Sequence, residues 1–234
     1  MIVQNKVINY IFYAFGEIIL VVVGILIALQ VNNWNENRRE ESVELHLLEE
    51  IKGNLENTLN NFILDTIYNS NTVTLYRKIN HYIEKDLPYN NELDSAFAAI
   101  GLFSSPYMIN SAYNTLVGKG IDLIKNQTLK EKIVSFYEVE AMSLLVDVDK
   151  AEWSLDDNVV YPFLSKHIRR LDTTSLNIAR PVDFEALKHN YEFINILGLL
   201  IRERRKNLMI YRTSMLSIQD LIKAINDELD VRYK

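Results

Sequence analysis

YIFYAFGEIILVVVGILIALQVNNW, residues Tyr10 to Trp34, carries a single charged residue, Glu17, in 25 positions. Its charge-free core from Ile18 to Val31 covers about 21 Å as a helix, short of the roughly 30 Å of hydrocarbon in a bilayer. Extending it back through Phe15, Tyr13, Phe12 and Ile11 supplies the missing length and puts Glu17 within or at the edge of the membrane. Tyr10, Tyr13 and other aromatic residues gather at one end, and Trp34 with Asn32 and Asn33 marks the other. That is the pattern of interfacial anchors. A cleaved signal peptide fits poorly, because the run is long, only Lys6 precedes it, and no small-x-small site follows Ala28. The reading is a tail over 1–9 and an uncleaved single transmembrane helix over 10–34.

Glu17 has two readings: a carboxyl at headgroup level, or an acid facing a neighbouring helix or a proton path. Ala14, Glu17, Val21, Gly24 and Ala28 follow a 3-4-3-4 rhythm and share one helix face. Gly24-x-x-x-Ala28 is a small-xxx-small pair that lets two backbones approach closely. The acid and the small residues therefore point towards a protein partner, a second copy or another membrane protein.

GEIILVVVGILIALQVNNWNE, Gly16 to Glu36, resembles the signature of a family of uncharacterised single-span membrane proteins of Bacteroidetes-type bacteria, a domain of unknown function. The likeness extends loosely through SAYNTLVGKGIDLIK, Ser111 to Lys125. It implies a helical domain anchored in the bacterial inner membrane and nothing catalytic. Family members carry a longer basic segment before the span than MIVQNKVIN, which points to a start further upstream. Lys6 and the terminal amine flank one side of the span, and Arg38, Arg39 and Lys52 the other. The local count favours a cytoplasmic domain; the resemblance implies an extracytoplasmic one, and the reading follows the resemblance.

Beyond the span, 35–234 is long enough for one domain with a core. Net charge of −6 argues against general nucleic-acid binding, and the absence of cysteine excludes disulfides. With only 7 Gly and 4 Pro among 234 residues, helix breakers are scarce. The expected fold is all-α: the membrane helix continues, without a stop in NENRREES, into an antiparallel bundle of long helices with coiled-coil-like seams. Leu48, Leu55, Phe62, Asn69, Tyr76 and Ile83 recur every seven residues, with Ile51, Leu59 and Ile79 beside them, in a helix over about 40–85. Asn69 is expected at a wetted seam edge.

Shorter helices follow over about 91–124, with Asn91 as a cap, a Ser105-Pro106 start, and Gly118 as the stop. Thr128-x-x-Glu131 reads as a capping box opening a helix over about 128–166 that Pro162 kinks or ends. Leu129, Ile133, Tyr137, Ala141, Leu144, Val148, Leu155 and Val159 form its apolar side. Asp147, Asp149, Glu152, Asp156 and Asp157 are assigned to its outer face, as a solvated surface or a partner for basic residues of the next helix. The last helix, about 190–231, shows Ile194, Ile201, Leu208, Met215, Ile222 and Leu229 seven apart. Leu197, Tyr211, Ile218 and Ile225 form a companion line that Arg204 interrupts.

No motif calls for a metal, a cofactor or a catalytic constellation. Gly118-Lys119-Gly120 lacks the rest of a phosphate loop and reads as a helix end. No His lies three residues after a Glu, as a di-iron bundle needs. The acidic run has Glu152 where a calcium loop needs glycine. The expected role is a membrane-anchored interaction or scaffold protein that self-associates and is not an enzyme. The alternatives are a sensor or ligand-binding bundle with a tyrosine-lined pocket, and an ion-coupled subunit of a membrane complex using Glu17.

Overall fold

The chain is almost entirely helical. A computed structural model describes the backbone of residues 3–171 and 177–233, and the side chains at 13 and from 15 onward. The elements are α1 (Val3–Glu84), α2 (Asp94–Ala98), α3 (Ser111–Lys119), α4 (127–167), β1 (Ile168–Arg170), β2 (Ala179–Pro181), α5 (Phe184–Lys188) and α6 (Tyr191–Arg232). Two compact units divide it, 1–48 and 49–234, with the division inside α1.

In the first unit, α1 contains a stretch long and apolar enough to cross a membrane. Every large apolar side chain described from Tyr13 to Trp34 is about half exposed or more. A helix apolar on all sides has no polar face to offer water, and finds its solvent in hydrocarbon.

In the second unit, α1, α4 and α6 form a bundle. Lys52 donates to Asn226 (3.0 Å), Phe62 packs edge-on against Tyr211 (5.2 Å), and Tyr233 donates to Glu49 (2.8 Å), so α6 runs antiparallel to this part of α1. Asn126 donates to Glu228 (2.6 Å), Lys206 to the Asp147 carbonyl (3.3 Å), and Phe163 stacks on Phe193 (5.6 Å), so α6 is antiparallel to α4 as well. An apolar core closes one end, where Phe97, Phe163, Phe184 and Phe193 meet Leu93, Val160, Leu187 and Leu197. Each such side chain contributes roughly 1.5–3 kcal/mol on burial.

α1 is closed just past Glu84 by Asp86, whose φ of +50° is the left-handed conformation that ends a helix. There Leu87 N–H donates to the Tyr82 carbonyl (2.9 Å) and Asp86 N–H to that of Ile83 (3.1 Å), which closes the helix before Pro88. The connection between α4 and α6 contains the β1–β2 hairpin, with Arg169 opposite Arg180, and α5. Arg180 fastens the hairpin through a two-pronged ion pair to Asp94 (2.9–3.2 Å).

The helix caps differ from expectation. Asn90, not Asn91, caps the turn before α2, accepting from Glu92 N–H, and α2 stops at Ala98. No helix begins at Ser105-Pro106; residues 102–110 are irregular and α3 starts at Ser111. Gly118 lies inside α3, and Gly120 (φ +107°) ends it, because only that position needs a conformation L side chains avoid. Asn126 rather than Thr128 caps α4, accepting from Leu129 N–H.

α4 is wound unusually. Three segments, Phe136–Glu140, Leu145–Lys150 and Asp156–Val160, are π-helical. Inward positions from Leu144 onward fall four apart, at Val148, Glu152, Asp156, Val160 and Leu164, all buried or half-buried. An α-helix would drift by about 40° at each such step. From Leu129 to Leu164 the chain takes 35 residues for nine turns that an α-helix makes in about 32, a surplus of roughly one residue per π segment. The expected α-periodic side is corrected accordingly: Val159 is exposed, and Glu152 is buried. Pro162 does not end the helix, which runs on to His167 after the wide turn that precedes it.

Candidate functional site

In the first unit, the side chains of Tyr10 and Ala14 lie outside the described residues. Glu17, Val21, Gly24 and Ala28 are exposed, as are Tyr13 and Trp34. Tyr13, Gly16, Glu17 and Leu20 line a shallow notch. A Cβ added at Gly16 or Gly24 would meet nothing within 4 Å. At the opposite end, the Arg38 guanidinium lies 5.1 Å over the Trp34 ring, a charged group beside the aromatic anchor.

The second unit holds a polar layer inside the bundle. From α1 come Thr58, Asn69 and Thr72, all buried, with half-buried Asp65; from α6 come Arg204, Asn207, Tyr211 and Ser214; from α4 comes Glu152. Thr58, Asp65, Thr72, Arg204 and Tyr211 occupy seam lines seven residues apart: Ile51, Thr58, Asp65, Thr72 and Ile79 on α1, and Leu197, Arg204, Tyr211, Ile218 and Ile225 on α6. Leu59, expected on the α1 stripe, is only half-buried, and Thr58 takes that place. Ile194, Ile201, Leu208, Met215 and Ile222 are half-buried edge residues, and the companion line through Arg204 is the true seam.

The layer has a definite task. Residues 99–109 contain backbone groups that no helix or sheet satisfies, and buried backbone must find partners. Tyr76 donates to the Ala99 carbonyl (2.9 Å), Arg204 Nη2 to that of Leu102 (3.2 Å), and Tyr211 to that of Ser104 (3.3 Å). Ser104 N–H donates to Asn69 Oδ1 (3.3 Å), Ile109 N–H to Thr58 Oγ1 (3.1 Å), and the Ser104 hydroxyl to Asp65. Asn69 is therefore a buried, bonded residue rather than a wetted edge.

Arg204 is the hub. It is 1% exposed, ion-paired with Glu152 (4% exposed), and stacked 5.1 Å from the Phe103 ring centre. Glu152 also accepts from Asn207 Nδ2 at 2.5 Å. Burial lowers the affinity of Arg204 for its proton, which the neighbouring tyrosines oppose. Burial pushes the Tyr76 phenol up to about 12 and raises Asp65, whose hydrogen bonds from Ser104 and Tyr211 pull the other way. Asp156 is likewise raised by burial, then by Asp157. Most donors here point at a protein carbonyl, hydroxyl or carboxylate, so the layer chiefly holds chain to chain, while Arg204 Nε is buried and finds no hydrogen-bond partner among the described residues.

Arg202 and Lys206 pair with Glu203 (3.0 and 3.3 Å). Gly118-Lys119-Gly120 is the end of α3, with Gly120 N–H bonded to the Leu116 carbonyl (3.0 Å). Among the described residues, no group of three or more His, Asp or Glu is placed to hold a metal ion. The polar seam was hidden in the sequence because its residues look like exposed ones; the signal that could have exposed it is the seven-residue spacing of Thr58, Asp65 and Thr72 between Ile51 and Ile79.

Residues 17–159 match a family of unknown function, DUF6090. No curated protein and no solved structure matches the chain.

Proposed function

Since the chain belongs to DUF6090, a family of unknown function, its role has to be read from its own residues, and we propose that it is a membrane-anchored helical scaffold that associates with copies of itself. The observation that carries this is the first unit: an all-round apolar helix whose single acid shares a face with Gly24 and Ala28. Lipid tails give no reason to keep a carboxyl in that register, whereas a second helix can bring a donor to it while the small residues let the backbones close. The heptad seams of the second unit are occupied within one chain by each other and by residues 99–109, so the seams themselves are not the contact surface and the membrane helix is one that is open.

The span anchors the protein in the bacterial inner membrane with its bundle on the extracytoplasmic side, and the protein acts by assembly rather than by catalysis. The polar layer supports this reading, since Thr58, Asp65, Asn69, Arg204 and Tyr211 all bond to residues 99–109. A ligand-binding bundle finds less support: the buried tyrosines Tyr76 and Tyr211 bond protein carbonyls, and the groove between α1 and α2 measures about 280 Å³, at the small end for a ligand site.

The test is the mass of the full-length protein in mild detergent. An oligomer is expected for the native chain, and Gly24→Leu, which fills the close-approach position, is expected to shift it to monomer. Monomer alone for the native chain overturns the proposal.

A further inference from the structure

α1 carries a second stripe that the bundle does not use. On the side turned away from α6, Asn57, Asn60, Leu64, Ile67, Asn71 and Thr74 follow each other at 3-4-3-4-3 spacing, and all are exposed. Leu64 is 65% and Ile67 54% exposed, with Ile63 and Tyr68 flanking them at 43% each. A strict alternation of three and four keeps residues in line on a helix meeting another helix. From Asn57 to Tyr76 the sequence has one charge in 20 residues, Asp65, and that side chain is turned inward to Ser104. The exposed face is thus uncharged over about 30 Å, on a chain where 24% of residues are charged.

We propose that this stripe is the contact between two copies of the chain, paired in parallel along α1. The identity of the occupant follows from what the face contains. In a symmetric parallel pair each residue meets its own counterpart, so any charge in the line would face a like charge, and here there is none. Leu64 and Ile67 give two apolar layers. The asparagines above and below them are self-complementary, because one amide both donates and accepts. A membrane span at the N-terminus orients every copy the same way, which selects a parallel over an antiparallel partner. Two apolar layers make a weak contact in free solution, well below a standard interface. Confinement of both copies to one bilayer raises their effective concentration and makes a weak face sufficient. The inference rests on the self-association proposed above and extends it to the bundle.

The native sequence has no cysteine, so single cysteines can be introduced without a background. Full-length chains carrying Leu64→Cys, Ile67→Cys or Asn71→Cys, reconstituted in liposomes, are expected to cross-link under a mild oxidant at least fivefold faster than Met209→Cys or Leu216→Cys, exposed positions on α6. The product should have twice the mass of the 27.3 kDa chain. Adding Leu64→Lys to Asn71→Cys should abolish the reaction. Gly24→Cys reports the membrane helix separately. Cross-linking at 24 without cross-linking at 64, 67 and 71 overturns the α1 pairing and leaves the membrane-helix association standing; failure at all four positions overturns both. Equal rates at α1 and α6, or an adduct of another mass, also overturn the pairing.

Discussion

Removing Arg204 should be among the most damaging single changes to the bundle, and removing its partner as well should restore much of the loss. In Arg204→Leu, Glu152 keeps its buried position with one neutral donor, Asn207, and the Leu102 carbonyl loses its bond. An uncompensated buried charge costs about 3–5 kcal/mol and an orphaned carbonyl about 1 more. With a urea dependence near 2 kcal/mol per molar, the midpoint of unfolding should fall by about 2–3 M. Glu152→Leu with Arg204→Leu removes both charges, and a buried pair replaced by apolar groups is often close to neutral. The double variant should lie within about 2 kcal/mol of the native protein, far less than the sum of the two single losses, which is the signature of coupled charges. Urea titrations of the full-length protein in detergent, followed by helical circular dichroism, measure all four corners of the cycle. If the double variant loses the sum of the two singles, the charges are not in contact. Glu152 would then stand on the outer face with Asp147 and Asp149, and the wide winding of α4 would be refuted.

Two further outcomes follow from the same region. Gly101 has φ of +82°, and a Cβ there would come within 2.8 Å of Asp156 Oδ1, so Gly101→Ala should cost about 1–3 kcal/mol from backbone strain alone. Adding Asp156→Ala should recover the part due to the clash and not the part due to φ, as calorimetric melting of the three proteins will show. Asp65 is raised by burial above 3.8, so its proton is held more tightly in the folded chain than in the unfolded one. Its contribution to stability therefore grows as pH falls through the raised value and is complete near 3.8. Asp65→Asn should lack that gain, and the native-minus-variant difference in urea midpoint should rise on acidification from pH 7 towards 4; a constant difference would contradict it.

The sequence made some of this legible and hid the rest for identifiable reasons. On α1, Leu55, Phe62, Asn69 and Tyr76 announced the inward line because three of the four are large and apolar, and all are buried. On α6, the inward line contains Arg204, Asn207 and Ser214, so an apolar count prefers the neighbouring line of Ile201, Leu208 and Met215, one step around the helix. α4 departs from its sequence pattern from Glu152 onward because the helix is wound at nearly four residues per turn rather than 3.6. Ser105-Pro106 has the local chemistry of a helix start, yet that segment takes its hydrogen bonds from side chains 35 to over 100 residues away, which no local pattern records. Glu17, Gly24 and Ala28 were legible as a face because nothing but helical geometry is needed to align them.

The three wide turns of α4 give that helix an adjustable length. Taking one residue from an ordinary α-helical turn would swing everything beyond it by about 100° and put Glu152 or Phe163 on the wrong side. Taking one from Leu145–Lys150 or Asp156–Val160 would tighten a wide turn to an ordinary one, with the side chains before and after it still facing Arg204 and Phe193. Each π segment is thus a reserve of one residue, a place where the chain can shorten while the bundle keeps its face.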